Sequence, residues 1–184
     1  MAIPTRDEAQ RVLASFALPA GIVTHVEGVA RVAAEAARLV AAAGVPVDAR
    51  LVESAALLHD IDKLETRGQL THGLVAAQRL TEMGHDELAP PVASHPVTCL
   101  TDDSRFPRGW PSVIVSVADR HVTQEFVTVD QRIDDLKRRH PEYATSLELA
   151  RRHAHALEAE LAAVVGMEPD VLVERLREAW RAGG

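Results

Sequence analysis

Apolar residues recur at helical spacing along most of the chain, and helix-breaking residues cut that pattern into segments. Thr5-Arg6-Asp7-Glu8 has the form of a capping box, which predicts an amphipathic helix to about Ala17, ended by Pro19 and Gly21. From Ile22 to Ala43 the apolar positions again follow a helical period, closed by Gly44 and Pro46. Asp48 is placed to cap a third helix running to about Lys63. Residues 64–70, LETRGQL, read as a loop, and Thr71 is placed to cap a fourth helix ending at Gly84. A short helix is predicted from Pro90 and Pro91, which suit a first turn, to His95, because Pro96 disfavours helical geometry at the residue before it. Residues 99–110 form a polar loop, and Pro111 opens a sixth helix, PSVIVSVADRHV. Its β-branched content would also suit a buried strand, but no second strand candidate exists to pair with it. Helices follow at about 130–139, 142–165 and 170–181, divided by Pro141 and then by Gly166 and Pro169. No repeat, low-complexity tract or long linker interrupts the pattern, so residues 1–184 are predicted to form one all-α domain.

Composition agrees with helices packed through small side chains: 47% of residues are hydrophobic but only 3% are aromatic. The single Cys99 has no partner for an internal disulfide, which fits a reducing cytoplasm. The polar start MAIPTRDEAQ lacks the apolar stretch of a signal peptide, and no apolar run approaches the length of a membrane span. A cytoplasmic protein without a membrane partner is therefore expected. Lys and Arg number 20 against 27 Asp and Glu, a net charge of −7, which argues against a nucleic-acid polymer as partner.

The stretch LLHDIDK, residues 57–63, disturbs this picture by ending an apolar helix on His59, Asp60, Asp62 and Lys63. His25, His72 and His95 also fall on core-facing helices or at their ends, and Asp119 follows the apolar run SVIVSVA. One histidine on an apolar face is usually a satisfied core residue. Here that explanation must hold four times, beside two carboxylates that are costly to bury unless paired or bound to metal. A metal site resolves the conflict. Imidazole and carboxylate donors suit Fe, Mn, Zn, Co or Ni better than Mg, and helix bundles build such sites from inward-facing side chains on separate helices. On a continuous helix His59 and Asp60 lie about 100° apart, so both reach a metal beside that helix end. Asp60 has two oxygens with which to bridge two metals, and Lys63, one turn beyond His59, can lean over the same cavity.

With His25 in THVEGVA, His59 and Asp60 in LLHDIDK, and Asp119 in SVADRHV, the chain resembles the HD-domain superfamily of metal-dependent phosphohydrolases. The resemblance covers about residues 20–125, leaving a helical C-terminal extension at about 130–182 that either caps the bundle or supplies the interface of a homo-oligomer. His72 in LTHGLVA and His95 in VASHPV match the two further histidines of members with two metals. The resemblance implies an all-α bundle with one or two divalent transition metals. It implies hydrolysis, by a metal-activated water, of a phosphomonoester or phosphoanhydride in a small phosphorylated metabolite or nucleotide. It assigns His25, His59, Asp60, His72, His95 and Asp119 to metal, Asp60 and Lys63 to catalysis, and Lys63 with Arg67 to the substrate phosphate. Asp62 departs from the common Gly or Ala and adds negative charge beside Lys63. The same ligand set also serves relatives that hold two irons and activate oxygen, and a non-catalytic binding module on the same scaffold is a third reading.

The other polar candidates have plainer explanations. His85 and Asp86 follow Gly84, a helix end, rather than an apolar run. His121 lies about 200° around the helix from Asp119, while Arg120, next to it, can pair with a carboxylate or a phosphate. His140 sits favourably at a helix C-terminus, and His153 and His155 are expected on a solvated helix face. Arg105 and Arg108 are expected either in solvent or at a substrate entrance.

Overall fold

A computed structural model describes residues 3–183. The capping box forms: Thr5 and Glu8 satisfy each other's backbone N–H groups and start α1, Arg6–Ser15. Arg6 then ties α1 to Glu27 of α2, Ala20–Ala42, and to Glu53 of α3, Ala49–Leu58. Asp48 caps α3 by accepting from Leu51 N–H at 3.0 Å. The buried faces of α2 and α3 are rich in alanine and valine, which lets the two backbones approach closely.

The third helix is shorter than its sequence suggests. It stops at Leu58, His59 is its cap, and the chain turns tightly through residues 60–62 into a one-turn helix α4, Lys63–Thr66. The fourth helix also starts late, as α5, Leu74–Glu82. One residue causes both shifts. The carboxylate of Asp62, fully buried, accepts from the backbone N–H groups of Gly73 at 2.8 Å and Ala76 at 3.2 Å. Asp62 therefore caps α5 from a distance, the part expected of Thr71, and its own segment bends towards it. Gly73 is required here: its φ is +80°, and a Cβ would come within 2.9 Å of the Val92 carbonyl.

The chain continues through α6, Ala89–Ser94, to α7, Trp110–His121. Every residue of α7 from Ser112 to His121 is buried. It packs against α2, α3 and α6, and against α8, Val129–Arg139, and α9, Ala144–Val164. A helix covered all round needs apolar residues on every face, which explains why its sequence also resembles a buried strand. The final helix α10, Pro169–Arg181, returns to α2, where Trp180 lies over Gly28. A Cβ at Gly28 would fall 2.9 Å from Val122 and 3.2 Å from Trp180, so only glycine permits this contact. The C-terminal helices thus fold back onto the bundle. No strand occurs among the described residues, apart from an isolated bridge between Val122 and Phe126, and the fold is all-α. No helix is long and apolar enough to cross a membrane.

Candidate metal centre

Six segments of the chain deliver polar side chains to one buried place. His25 comes from α2, His59 from the end of α3, Asp60 from the turn after it, and His72 from the turn before α5. His95 caps α6 and Asp119 lies on α7. His25 Nε2 is 3.2 Å from both His59 Nε2 and Asp119 Oδ1. His72 Nε2 is 3.1 Å from both His95 Nε2 and Asp60 Oδ1. Asp60 also lies 3.7 Å from His25, 3.7 Å from His59 and 3.5 Å from His95, so its carboxylate reaches every imidazole of the group. Two overlapping sets, His25–His59–Asp119 and His59–Asp60–His95, each have the spacing to hold a metal ion.

The hydrogen bonds behind the centre fix which nitrogen faces it. His59 Nδ1 lies 2.7 Å from the Ala56 carbonyl and His95 Nδ1 lies 2.6 Å from the Val92 carbonyl. A carbonyl can only accept, so each Nδ1 carries the proton and each Nε2 presents a lone pair inwards. His72 Nδ1 likewise donates to Asp62 Oδ1, at 2.9 Å, which turns its Nε2 towards Asp60 and His95. Imidazole lone pairs and carboxylate oxygens at these spacings repel one another unless a cation lies among them. The donor set therefore fits a divalent metal, and four imidazoles favour a transition metal over Mg.

The charge states of His59, His95, Asp60 and Asp119 agree with that role, and His72 is the exception. Burial pushes the His59 imidazole down to about 3 and lowers that of His95, so both stay neutral ligands at neutral pH. Burial alone would raise the Asp60 carboxyl, but His59, His72, His95 and Lys63 outweigh it and hold the group well below the usual carboxylate range. Asp119 is likewise held low, its burial outweighed by Arg120, His25 and His59. For His72 the bonds to Asp60 and Asp62 outweigh burial and raise the pKa.

Lys63 stands at the rim with 36% of its side chain exposed, 3.1 Å from Asp60 Oδ1 and 3.1 Å from His72 Nε2. Asp62 does not hold it back, because that carboxylate is fully engaged by His72, Gly73 and Ala76. Arg67 is exposed, and no hydrogen bond or ion pair joins it to the centre.

Two arginines brace the ligands. Arg120 pairs with Asp119 and donates to the His95 carbonyl at 3.0 Å, linking α7 to the end of α6. Arg105 donates to the carbonyls of Leu70, His72 and Ala93, each at 2.9 Å, and so ties the His72 turn to α6. It is neither solvated nor free for a substrate, contrary to its expected place. His121 points away from the centre and pairs with Glu158 at 2.8 Å. His85 and Asp86 lie outside the centre, on the way into a short turn before α6. His155 is exposed beside Asp130. His153 is not on a solvated face: its ring meets the Leu100 carbonyl and the edge of Phe106.

The structure is thus an all-helical bundle whose buried His/Asp groups have the spacing to hold a metal ion. The HD domain family profile matches residues 22–123, more than half of the chain, and the chain belongs to that family. No curated protein and no solved structure was found to match it.

Proposed function

We propose that this chain is a metal-dependent phosphohydrolase acting on a phosphomonoester or phosphoanhydride in a small phosphorylated metabolite or nucleotide. One or two divalent transition metals would be held by His25, His59, Asp60, His72, His95 and Asp119; Asp60 lies near both His25 and His72, and His59 belongs to both metal-sized groups. The observation that carries the reading is the half-exposed ammonium of Lys63, 3.1 Å from both Asp60 and His72. With a metal bound at Asp60, that carboxylate would be shared and the Lys63 ammonium would be free to meet an incoming anion.

A bound metal lowers the pKa of a coordinated water towards about 7 and polarises a phosphoryl oxygen. The chain contributes the rest. Backbone carbonyls and Asp62 hold three imidazoles with their Nε2 atoms inwards. Asp60 and Asp119 supply negative charge to retain the metal. Lys63 offers a donor to the charge that develops on the equatorial phosphoryl oxygens.

The test is a panel of nucleotides and sugar phosphates presented to metal-reconstituted protein. Phosphate release that stops with a chelator and returns with added metal is expected. Tight metal binding without turnover of any panel member would favour the non-catalytic binding module instead.

Two further results follow from the division of ligands. His72→Ala and His95→Ala should each cut a two-metal stoichiometry by about half while the His25, His59, Asp60 and Asp119 group stays filled. A wild-type protein with one metal, held equally well by both variants, would contradict the second site. Asp62→Ala removes both the partner of His72 Nδ1 and the distant cap of α5. It should weaken the second metal equivalent by about 10–100-fold in a calorimetric titration. It should also cost about 0.5–2 kcal/mol of stability through the lost cap. Unchanged affinity for both equivalents would show that Asp62 only caps the helix.

A further inference from the structure

The helix α8 lies outside the matched family segment, and its inward stripe contains an anomaly. Val129, Arg132, Ile133 and Leu136 stand at the i, i+3, i+4, i+7 spacing of a buried apolar face. Val129 and Ile133 are buried and Leu136 packs against the core. Arg132 occupies a position where an apolar residue would be stable. Only 18% of its side chain is exposed, and its Nε is buried without any hydrogen-bond partner. Among the described residues the one carboxylate within ion-pair range is Asp119, whose Oδ1 lies 4.0 Å from Nη2, beyond good hydrogen-bond range. That carboxylate is already shared with Arg120 and His25. Burial, with Arg120 and Arg139 nearby, lowers the Arg132 pKa against the pull of Asp119 and Asp60. A guanidinium nevertheless stays charged in proteins and carries five donors that need acceptors.

Buried, unsatisfied donors are costly unless something supplies oxygens to them. We propose that Arg132 binds the phosphoryl group of the substrate, so that the C-terminal extension completes the site from the side opposite Lys63. This rests on the phosphohydrolase reading and deepens it. Lys63 stands beside Asp60 and His72, whereas Arg132 stands beside Asp119, and both carboxylates border His25 and His59. Two cations therefore flank the centre at different ligands. Lysine offers a point charge, while arginine offers a planar fork matched to two oxygens of one phosphoryl group. The substrate class this selects has a terminal phosphoryl group, whose oxygens are free to meet both cations.

The test titrates the metal-loaded full chain with inorganic phosphate by calorimetry, comparing wild type with Arg132→Met and Arg132→Lys. Methionine suits the apolar stripe, so metal content should be unchanged and the melting temperature equal or higher. Phosphate affinity should fall by about 10–100-fold in Arg132→Met, the usual range for losing a hydrogen bond to a charged group. Arg132→Lys, which keeps the charge but loses the fork, should fall between the two. Equal affinity in wild type and both variants overturns the proposal and leaves Arg132 as a partner of Asp119. Loss of metal from Arg132→Met together with unchanged phosphate affinity in Arg132→Lys overturns it too. A wild-type protein that keeps its metal but binds no phosphate overturns the phosphohydrolase reading itself, and this proposal with it. If Arg132→Met does not fold, Arg132→Lys decides: several-fold weaker binding at full metal content supports the proposal, and no change overturns it.

Discussion

Asp60→Ala should strip the protein of metal and of activity together. Asp60 alone lies within 3.7 Å of all four imidazoles, and it also pairs with Lys63. Removing its carboxylate leaves the Lys63 ammonium without its ion-pair partner and the imidazoles with one fewer anion to hold a cation among them. The loss of turnover should exceed about 10³-fold, beyond the 10–100-fold typical of an outer partner such as Asp62. Helix content by circular dichroism should change little, since the core around α2, α3 and α7 is otherwise apolar. Elemental analysis checks the result, and a full complement of metal in this variant would contradict the ligand assignment.

Lys63→Ala is expected to lose about 10²–10³ in turnover while retaining its metal and a near-native melting temperature. A plainer role for Lys63 would be to stabilise a helix C-terminus, for about 0.3–1 kcal/mol. The observed geometry removes that explanation. Helix α3 ends at Leu58, five residues before Lys63, and the one-turn α4 is too short to carry a dipole of its own. What remains is its contact with Asp60 and His72 at the rim. Turnover of a phosphate substrate within a few-fold of wild type would rule out a role in the reaction.

Much of the bundle was legible in the chain because helix periodicity and its punctuation are local signals. The capping box at Thr5 and the cap at Asp48 form as read, and the pattern 20–42 needs no tertiary information. The strand-like run in α7 resolved correctly, although the burial that explains it depends on helices far away in sequence. The failures share a cause. Asp62 looked like a local threat to Lys63, but its partners are His72, Gly73 and Ala76, ten to fourteen residues on. That long-range cap truncated one helix and delayed the next, and nothing in the period of either run records it. Arg105 likewise spends its donors on carbonyls of other elements, which carry no sequence signal. Arg132 did leave one: a charge inside the apolar stripe Val129–Ile133–Leu136.

The histidines and aspartates of the centre were recognisable because each is out of place where it stands. Their mutual distances were not readable, since they depend on how the turn at 60–62 and the turn before α5 are braced.

The central claim is hydrolytic phosphoryl transfer at this His/Asp centre, and the most direct test is isotopic. The metal-reconstituted protein is given the best phosphate substrate of the panel in ¹⁸O-labelled water, under argon, and the phosphoryl product is analysed by mass spectrometry. Hydrolysis at phosphorus predicts one ¹⁸O atom per turnover, carried by the phosphoryl group that water attacks, at a rate that does not change when air is admitted. Turnover that requires oxygen, or a product that carries no label from water, would contradict it.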